Sequence, residues 1–360
     1  MADEFDNEFD LAVVGAGIVG MMVACIAKRT HPALSIAVLD RSLAGSGTSL
    51  YGGAVRIPFG ITDTHRRFVR RSEEIFADLD RWAGPLPARK IPVFWVAGAD
   101  RMAAFRMLLT SDAAHSPTAD EMAALQHSLP VLSLSPDDAI LVDTAAWHGN
   151  PSQTVMHLLA RLRQLPDVAC YEGVHVTALT DRPDGCDIFT ADGQVIRSRH
   201  LVRATGPWLN LHQQRLPENG LRIKKVAALH ADLAATTDDP IVYFAEDDAY
   251  LLPDPQNGRW IFCFASEDWD VEPEISRLSL SARDRATAAR TLTRYAPALL
   301  DRTRGGRVFC DAYSPTRVPA IARDPQSPRV AHALACSGSG YRLSPAIAEA
   351  ALDLLGDTLQ

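Results

Sequence analysis

Leu11-Ala12-Val13-Val14-Gly15-Ala16-Gly17-Ile18-Val19-Gly20 decides how this chain is read. Four apolar residues end in a glycine turn, and an apolar run with helical periodicity continues to residue 30. Residues 10–14 read as a buried strand and 17–30 as a helix, with Gly15, Gly17 and Gly20 in G-x-G-x-x-G spacing between them. Each glycine has its own reason: a tight turn, close approach of a pyrophosphate to the backbone, and close helix–sheet packing. The helix start around Ile18 and Val19 aims free N–H groups and a positive dipole at that anion. The apolar stretch at 35–40 adds a second strand and completes a βαβ unit. Its last residue, Asp40, is placed to accept both hydroxyls of a ribose and to repel a 2′-phosphate.

The far end of the chain repeats the device. Residues 334–345, Leu-Ala-Cys-Ser-Gly-Ser-Gly-Tyr-Arg-Leu-Ser-Pro, read as an apolar strand, a glycine-rich turn and a helix opened by Pro345. Two anion-friendly helix starts at opposite ends of the chain suit a cofactor long enough to be held at both ends. FAD is expected rather than NAD, and Asp40 disfavours NADP.

The 360 residues, 47% of them apolar, are enough for one elaborate domain or two joined ones. A net charge of -8 argues against a nucleic-acid partner. The acidic N-terminus lacks the basic-then-apolar order of a secretory signal, and no apolar run is long enough to cross a membrane. Six scattered cysteines without a C-x-x-C pair read as reduced thiols. A cytoplasmic location is therefore expected, with no membrane or nucleic-acid partner and an oligomeric state the sequence leaves open.

Helical patterns occupy 63–82, 101–109, 280–295 and Pro151–Gln164, the last with Asn150 as N-cap. Strand patterns fall at 174–179, 186–190, 194–196 and 200–204, then at 223–234, 241–253, 259–265, 307–314, 319–321 and 329–336. The expected architecture is α/β, α+β overall. A discontinuous Rossmann-like FAD-binding domain would comprise 1–84, 146–215 and 318–360, with an inserted β-rich substrate domain from 85–145 and 216–317.

Several segments in order carry a family resemblance: Gly15–Gly20; Val38-Leu39-Asp40-Arg41; Ser46-Gly47-Thr48-Ser49 leading to Gly52-Gly53-Ala54-Val55-Arg56; residues 173–179; residues 201–208, ending Ala-Thr-Gly206-Pro-Trp208; and Ser337–Leu343. On these the chain resembles the D-amino-acid oxidase superfamily, in its glycine oxidase and monomeric sarcosine oxidase-like branch. The resemblance implies FAD with its adenosine at Asp40 and Arg41, its adenine side near Val176, and its pyrophosphate over Gly15–Gly20. The isoalloxazine would lie between the loop containing Gly47, Thr48, Ser49, Gly52 and Gly53 and the turn of Gly338, Ser339, Gly340, Tyr341, Arg342 and Leu343. Gly206 and Trp208 would complete the nucleotide site. The last helix start would stabilise negative charge building at flavin N1 and C2=O.

The same resemblance puts Arg342 where relatives hold a substrate carboxylate with a lysine, Arg56 over the flavin ring, and Cys310 where relatives form a thioether to FAD. It also exposes departures. Phe59 stands where a second carboxylate-binding arginine is found, Asp311 where another branch has its arginine, and no lysine follows Lys225 in the substrate domain. Carboxylate clamping then rests on Arg342 and Arg317, and rapid use of oxygen is not expected.

The histidines, His65 among them, show no metal-ligand spacing and read as structural or surface residues. The aromatic series Tyr243, Phe244, Tyr250, Trp260, Phe262, Phe264 and Trp269 follows strand period, so half should be core and half could wall an apolar pocket. The expected activity is oxidation of an amine or amino-acid derivative beside its nitrogen, by hydride transfer to flavin N5. Arg342, Arg56 and Tyr250 are the expected catalytic set. A dehydrogenase or biosynthetic tailoring enzyme with an acceptor other than oxygen, and a non-catalytic FAD-binding subunit, are the alternatives.

Overall fold

The computed structural model describes residues 8–209 and 220–356. The acidic N-terminal stretch and the expected boundary at 215/216 fall outside them. The chain opens with β1 (Glu8–Val14), α1 (Ile18–Thr30) and β2 (Ile36–Asp40), then β3 (Val55–Arg56) and α2 (Asp63–Ala83). Next come β4 (Ala88–Lys90), β5 (Val93–Gly98), α3 (Met102–Arg106), α4 (Ala119–Ser128), β6 (Asp138–Asp143) and β7 (Trp147–Gly149). α5 (Pro151–Leu162) leads into β8 (Val168–Glu172), β9 (Val176–Arg182), β10 (Gly185–Thr190) and β11 (Val195–Arg203). β12 (Arg222–Ala231), β13 (Ile241–Phe244), β14 (Ala249–Asp254), β15 (Arg259–Phe264), α6 (Ala282–Tyr295) and β16 (Thr303–Tyr313) follow. β17 (Ala320–Arg323), β18 (Val330–Leu334) and α7 (Gly340–Leu355) close the chain.

The first sheet runs β17-β18-β11-β1-β2-β8, and its four central neighbours from β18 to β2, with β8, pair in parallel. Parallel strands buried on both faces need continuous apolar runs. β1 supplies one: Leu11 and Val13 face the helices, while Ala12 and Val14 face the layer formed with β9 and β10. On the helical side α1, α2, α5 and α7 share one core. The second sheet runs β16-β12-β15-β14-β13-β5-β6. α4 and α6 pack on one of its faces, and an aromatic cluster around Trp95 and Tyr243 occupies the other.

Most element expectations hold within a few residues. Asn150 Oδ1 accepts from Gln153 N at 3.1 Å, capping α5 ahead of Pro151. Residues 194–196 and 200–204 are one continuous strand rather than two. The expected helix at 101–109 is only the single turn of α3. α4 has no counterpart in the sequence reading, although Thr118 and Glu121 form a capping box that S/T-x-x-E spacing advertises.

The largest revision concerns α7. It begins at Gly340 after Ser339, so Pro345 lies inside it rather than opening it. Proline cannot donate to the carbonyl of Tyr341 one turn back. Ser344 Oγ donates to that carbonyl instead, at 3.0 Å, and the helix continues.

Candidate functional site

A cavity of about 770 Å³ is lined by the carboxyl-terminal ends of β1 and β2, the 46–54 loop, the turn before α7 and the aromatic face of the second sheet. At its first end lie Gly15, Gly17, Ile18, Val19, Asp40, Arg41, Val176, Gly206 and Trp208. Asp40 ties this end together: Oδ2 accepts from Ala16 N at 2.8 Å and Oδ1 from Ser42 N at 2.9 Å. Burial raises its pKa, and those two backbone bonds oppose the rise. Gly17 has no side chain to cap α1. Ser49 Oγ reaches across from the loop and accepts from Ile18 N at 3.0 Å. Arg41 stacks on Trp208, 4.1 Å from the ring centroid.

These residues fit an adenine dinucleotide by their geometry. A Cβ added to Gly17 would meet only Ser49 Oγ, at 3.4 Å, so the backbone there is open to close approach. Thr205 Oγ1 is buried in the wall without a hydrogen-bond partner among the described residues. Gly47, Thr48, Ser49, Gly52 and Gly53 continue the wall to the second end, where Gly338, Ser339, Gly340, Tyr341 and Arg342 present the start of α7.

Arg342 is 9% exposed in the first turn of that helix. Its guanidinium donates to Phe59 O at 2.8 Å and to Ser339 Oγ at 3.0 Å, and no described carboxylate pairs with it. Burial is the main influence lowering its pKa, opposed by Tyr243 and Asp248. Tyr243 and Tyr250, opposite one another on β13 and β14, stack with centroids 5.9 Å apart. Phe59, Phe105 and Trp95 extend the aromatic cluster, with Phe59 5.5 Å from Phe105. Of the aromatic series, Tyr243, Tyr250, Phe264 and Trp269 reach the cavity, whereas Phe244, Trp260 and Phe262 are core. Phenols in this wall stay protonated, because burial pushes Tyr243 and Tyr250 well above the ordinary tyrosine value.

Asp311 lies at the junction, 7% exposed, with Oδ2 accepting from Gly338 N at 2.9 Å. Burial pushes its pKa up to about 6. A carboxyl whose folded pKa exceeds its unfolded value near 4 is bound more tightly as the acid in the native state. Its stabilisation is complete below that unfolded value and is lost as pH rises through about 6. Asp311→Asn should therefore flatten the fall in unfolding free energy between roughly pH 4 and 6, by about 2 kcal/mol. Urea titrations at the two ends of that window check it, and parallel pH profiles for variant and wild type would reject it.

Four expected site residues lie elsewhere. Val55 and Ile57 line the cavity, so Arg56 between them points to the opposite side of its strand. There it forms a fork with Glu73, at 2.9 and 2.5 Å, with the guanidinium carbon 3.8 Å from the Phe76 centroid. Arg56, which the resemblance put over the flavin ring, is therefore not among the residues lining the cavity. Cys310 differs for the same reason: Phe309, Asp311 and Tyr313 face the cavity, and Cys310 is turned from it and fully buried. Burial pushes its thiol up to about 12, so neither position nor protonation favours a thioether to FAD. Gly20 packs under the turn, where a Cβ would collide with Gly15 O, and Leu343 is buried in the helical core.

His65 and Lys224 are among the wall residues that the sequence does not single out. His65, set aside as structural, lines the cavity from the first turn of α2. Lys224, on β12 opposite Asp311, lines it too, with its ammonium 4.9 Å from the Trp269 ring and 5.3 Å from that of Tyr313. Burial, then Arg317, lowers its pKa. Its neighbour Lys225 is committed to Asp268 and Asp284. No sequence signal separates the two lysines. Among the described residues, no cluster of three His, Cys, Asp or Glu side chains could hold a metal, and no helix is long and apolar enough to cross a membrane.

The architecture recurs in solved structures. L-proline dehydrogenase from P. horikoshii is 20% identical with TM-score 0.77, over 97% of this chain and 94% of that one. L-amino acid deaminase from Proteus vulgaris is 15% identical with TM-score 0.76, over 99% and 95%. Glycine oxidase from Geobacillus kaustophilus is 15% identical with TM-score 0.74, over 97% and 94%. At these identities the likeness shows the fold. Comparison with curated proteins gives no match. The sequence pattern described as DAO, FAD dependent oxidoreductase, matches residues 10–354, which takes in both ends of the cavity. The match thus runs through the glycine turn after β1 and the start of α7 alike, and the chain belongs to the DAO family of FAD-dependent oxidoreductases.

Proposed function

We propose that the protein oxidises the carbon–nitrogen bond of an amine or amino-acid derivative to an imine. The observation that carries this reading is Arg342, a cavity-lining buried guanidinium with no described carboxylate partner. A buried charge of this kind is costly until an anion meets it. A substrate carboxylate is the matching group, and the donors left free by Phe59 O and Ser339 Oγ can hold it. FAD, when bound, supplies the hydride acceptor.

The chain's own residues position the substrate and exclude water. Arg342 would anchor the carboxylate, and the stacked Tyr243–Tyr250 pair, with Phe59 and Phe105, would pack an apolar side chain. The aromatic wall favours a bulky or aromatic substrate over glycine or sarcosine. Gly15, Gly17, Asp40, Arg41, Thr205 and the first turn of α7 would hold the nucleotide. Tyr243 donates to Asp248 Oδ1 at 2.5 Å, which fixes the ring and leaves the carboxylate, not the phenol, as the charged partner of Arg317.

The test is anaerobic: the purified yellow protein is mixed with aromatic and aliphatic amino acids and the corresponding amines. Bleaching by a carboxylate-bearing amine, faster than by its decarboxylated analogue, is expected. A flavin that no amine or amino acid reduces would remove this reading. Readmitting air then distinguishes an oxidase from a dehydrogenase by the speed of recolouring.

A further inference from the structure

His65 is 4% exposed, lines the cavity, and has no hydrogen-bond partner at either ring nitrogen among the described residues. Its backbone is held firmly. His65 N donates to Thr62 Oγ1 at 3.1 Å at the N-cap of α2. Gly60 packs against the same turn so closely that a Cβ there would lie 2.8 Å from Arg66 N. Arg66 in turn donates to Gly60 O at 2.9 Å. The 57–60 segment that braces this turn also accepts from Arg342, through the carbonyl of Phe59. A position needed only for volume would be filled better by leucine, because a buried polar ring with no partner carries a desolvation cost and returns nothing.

We propose that His65 contacts the substrate, its ring N–H donating a hydrogen bond to the carboxylate that Arg342 anchors. This rests on the carboxylate reading above. The field at the ring favours an anion: Arg342 and Arg317 both act on His65 and, after burial, hold its pKa down to about 4. A neutral imidazole contributes a donor without adding a third positive charge beside those two guanidiniums. The helix start under His65 adds positive potential of the same sign.

Benzoate serves as the probe, titrated calorimetrically into FAD-loaded protein, and melting temperatures are measured without it. His65→Leu should melt at or above the wild-type temperature, since it removes an unsatisfied buried ring. It should bind benzoate roughly ten- to a hundredfold more weakly, the loss expected for a hydrogen bond to a charged group. His65→Asn, which keeps a side-chain N–H, should recover part of that affinity. A lower melting temperature for His65→Leu, or equal benzoate affinity in His65→Leu and wild type, overturns the proposal and leaves the carboxylate reading standing. Wild-type protein that binds no benzoate overturns both. His65→Gln is the second variant: affinity within a few-fold of wild type supports the donor role, and loss as large as the leucine change predicts overturns it.

Discussion

Gly15→Ala is expected to lower the unfolding free energy by about 3–5 kcal/mol and to abolish FAD retention. Two costs coincide at this residue. Its φ of +105° lies where a side chain is strained, and the new Cβ would collide with the carbonyl oxygen of Ala204. That oxygen lies immediately after β11, whose register with β1 is fixed from Glu8–Arg197 to Val14–Arg203, so neither strand can yield without breaking the ladder. A domain of ordinary stability has little left after such a loss. Gly193→Ala is the internal control. Its φ is +86°, yet nothing lies within 4 Å of its Cβ, so only the strain of about 1 kcal/mol should appear. Urea unfolding and flavin content after gel filtration measure both effects. Comparable losses in the two variants would show that the close approach to Ala204 does not matter.

Arg342→Leu should reduce kcat/KM for a carboxylate-bearing substrate by about 10²–10³, roughly 3–4 kcal/mol, and mainly through KM. The loss is large because the guanidinium is desolvated and has no described counter-ion to fall back on. Stability should change far less. Removing a buried charge is favourable, while the carbonyls of Ile57 and Phe59 lose their donor, and these terms oppose one another. Arg342→Lys keeps the charge but not the planar fork, and an intermediate activity is expected. Steady-state kinetics on an amino acid and on its decarboxylated amine separate the cases. If the variant slows both substrates equally, Arg342 acts on the flavin or the fold rather than on a carboxylate.

The elements at both ends of the chain were readable because their chemistry is local. Gly15, Gly17 and Gly20 sit at fixed spacing after an apolar strand, and Asp40 ends the next strand, so each role follows from the few residues around it. The glycine turn at 338–340 was equally readable, but the start of α7 was not. Ser344 supplies the hydrogen bond that Pro345 cannot make, and proline rules alone place the helix five residues too late. The capping box at Thr118 and Glu121 is local too, and its spacing marks the start of α4.

Arg56 and Cys310 show where reading by family position stops. Both are on strands, where one residue of register separates the cavity face from the opposite one. Val55 and Ile57, and likewise Phe309 and Asp311, took the cavity side. The sequence holds the alternation but does not say which phase faces inward. That phase is set by the partners across the sheet: Arg56 opposes Trp147, and Cys310 opposes Lys225.

From its residues alone, this chain declares a flavin nucleotide fold, since glycine spacing, strand period and helix starts are properties of neighbours along the backbone. Only the tertiary structure decides which side chains share the cavity. It brings His65 from α2, Lys224 from β12, Tyr243 and Tyr250 from the second sheet and Arg342 from α7 to one cavity. Their common address depends on packing between segments far apart in the chain, and on which side of each strand or helix that packing buries.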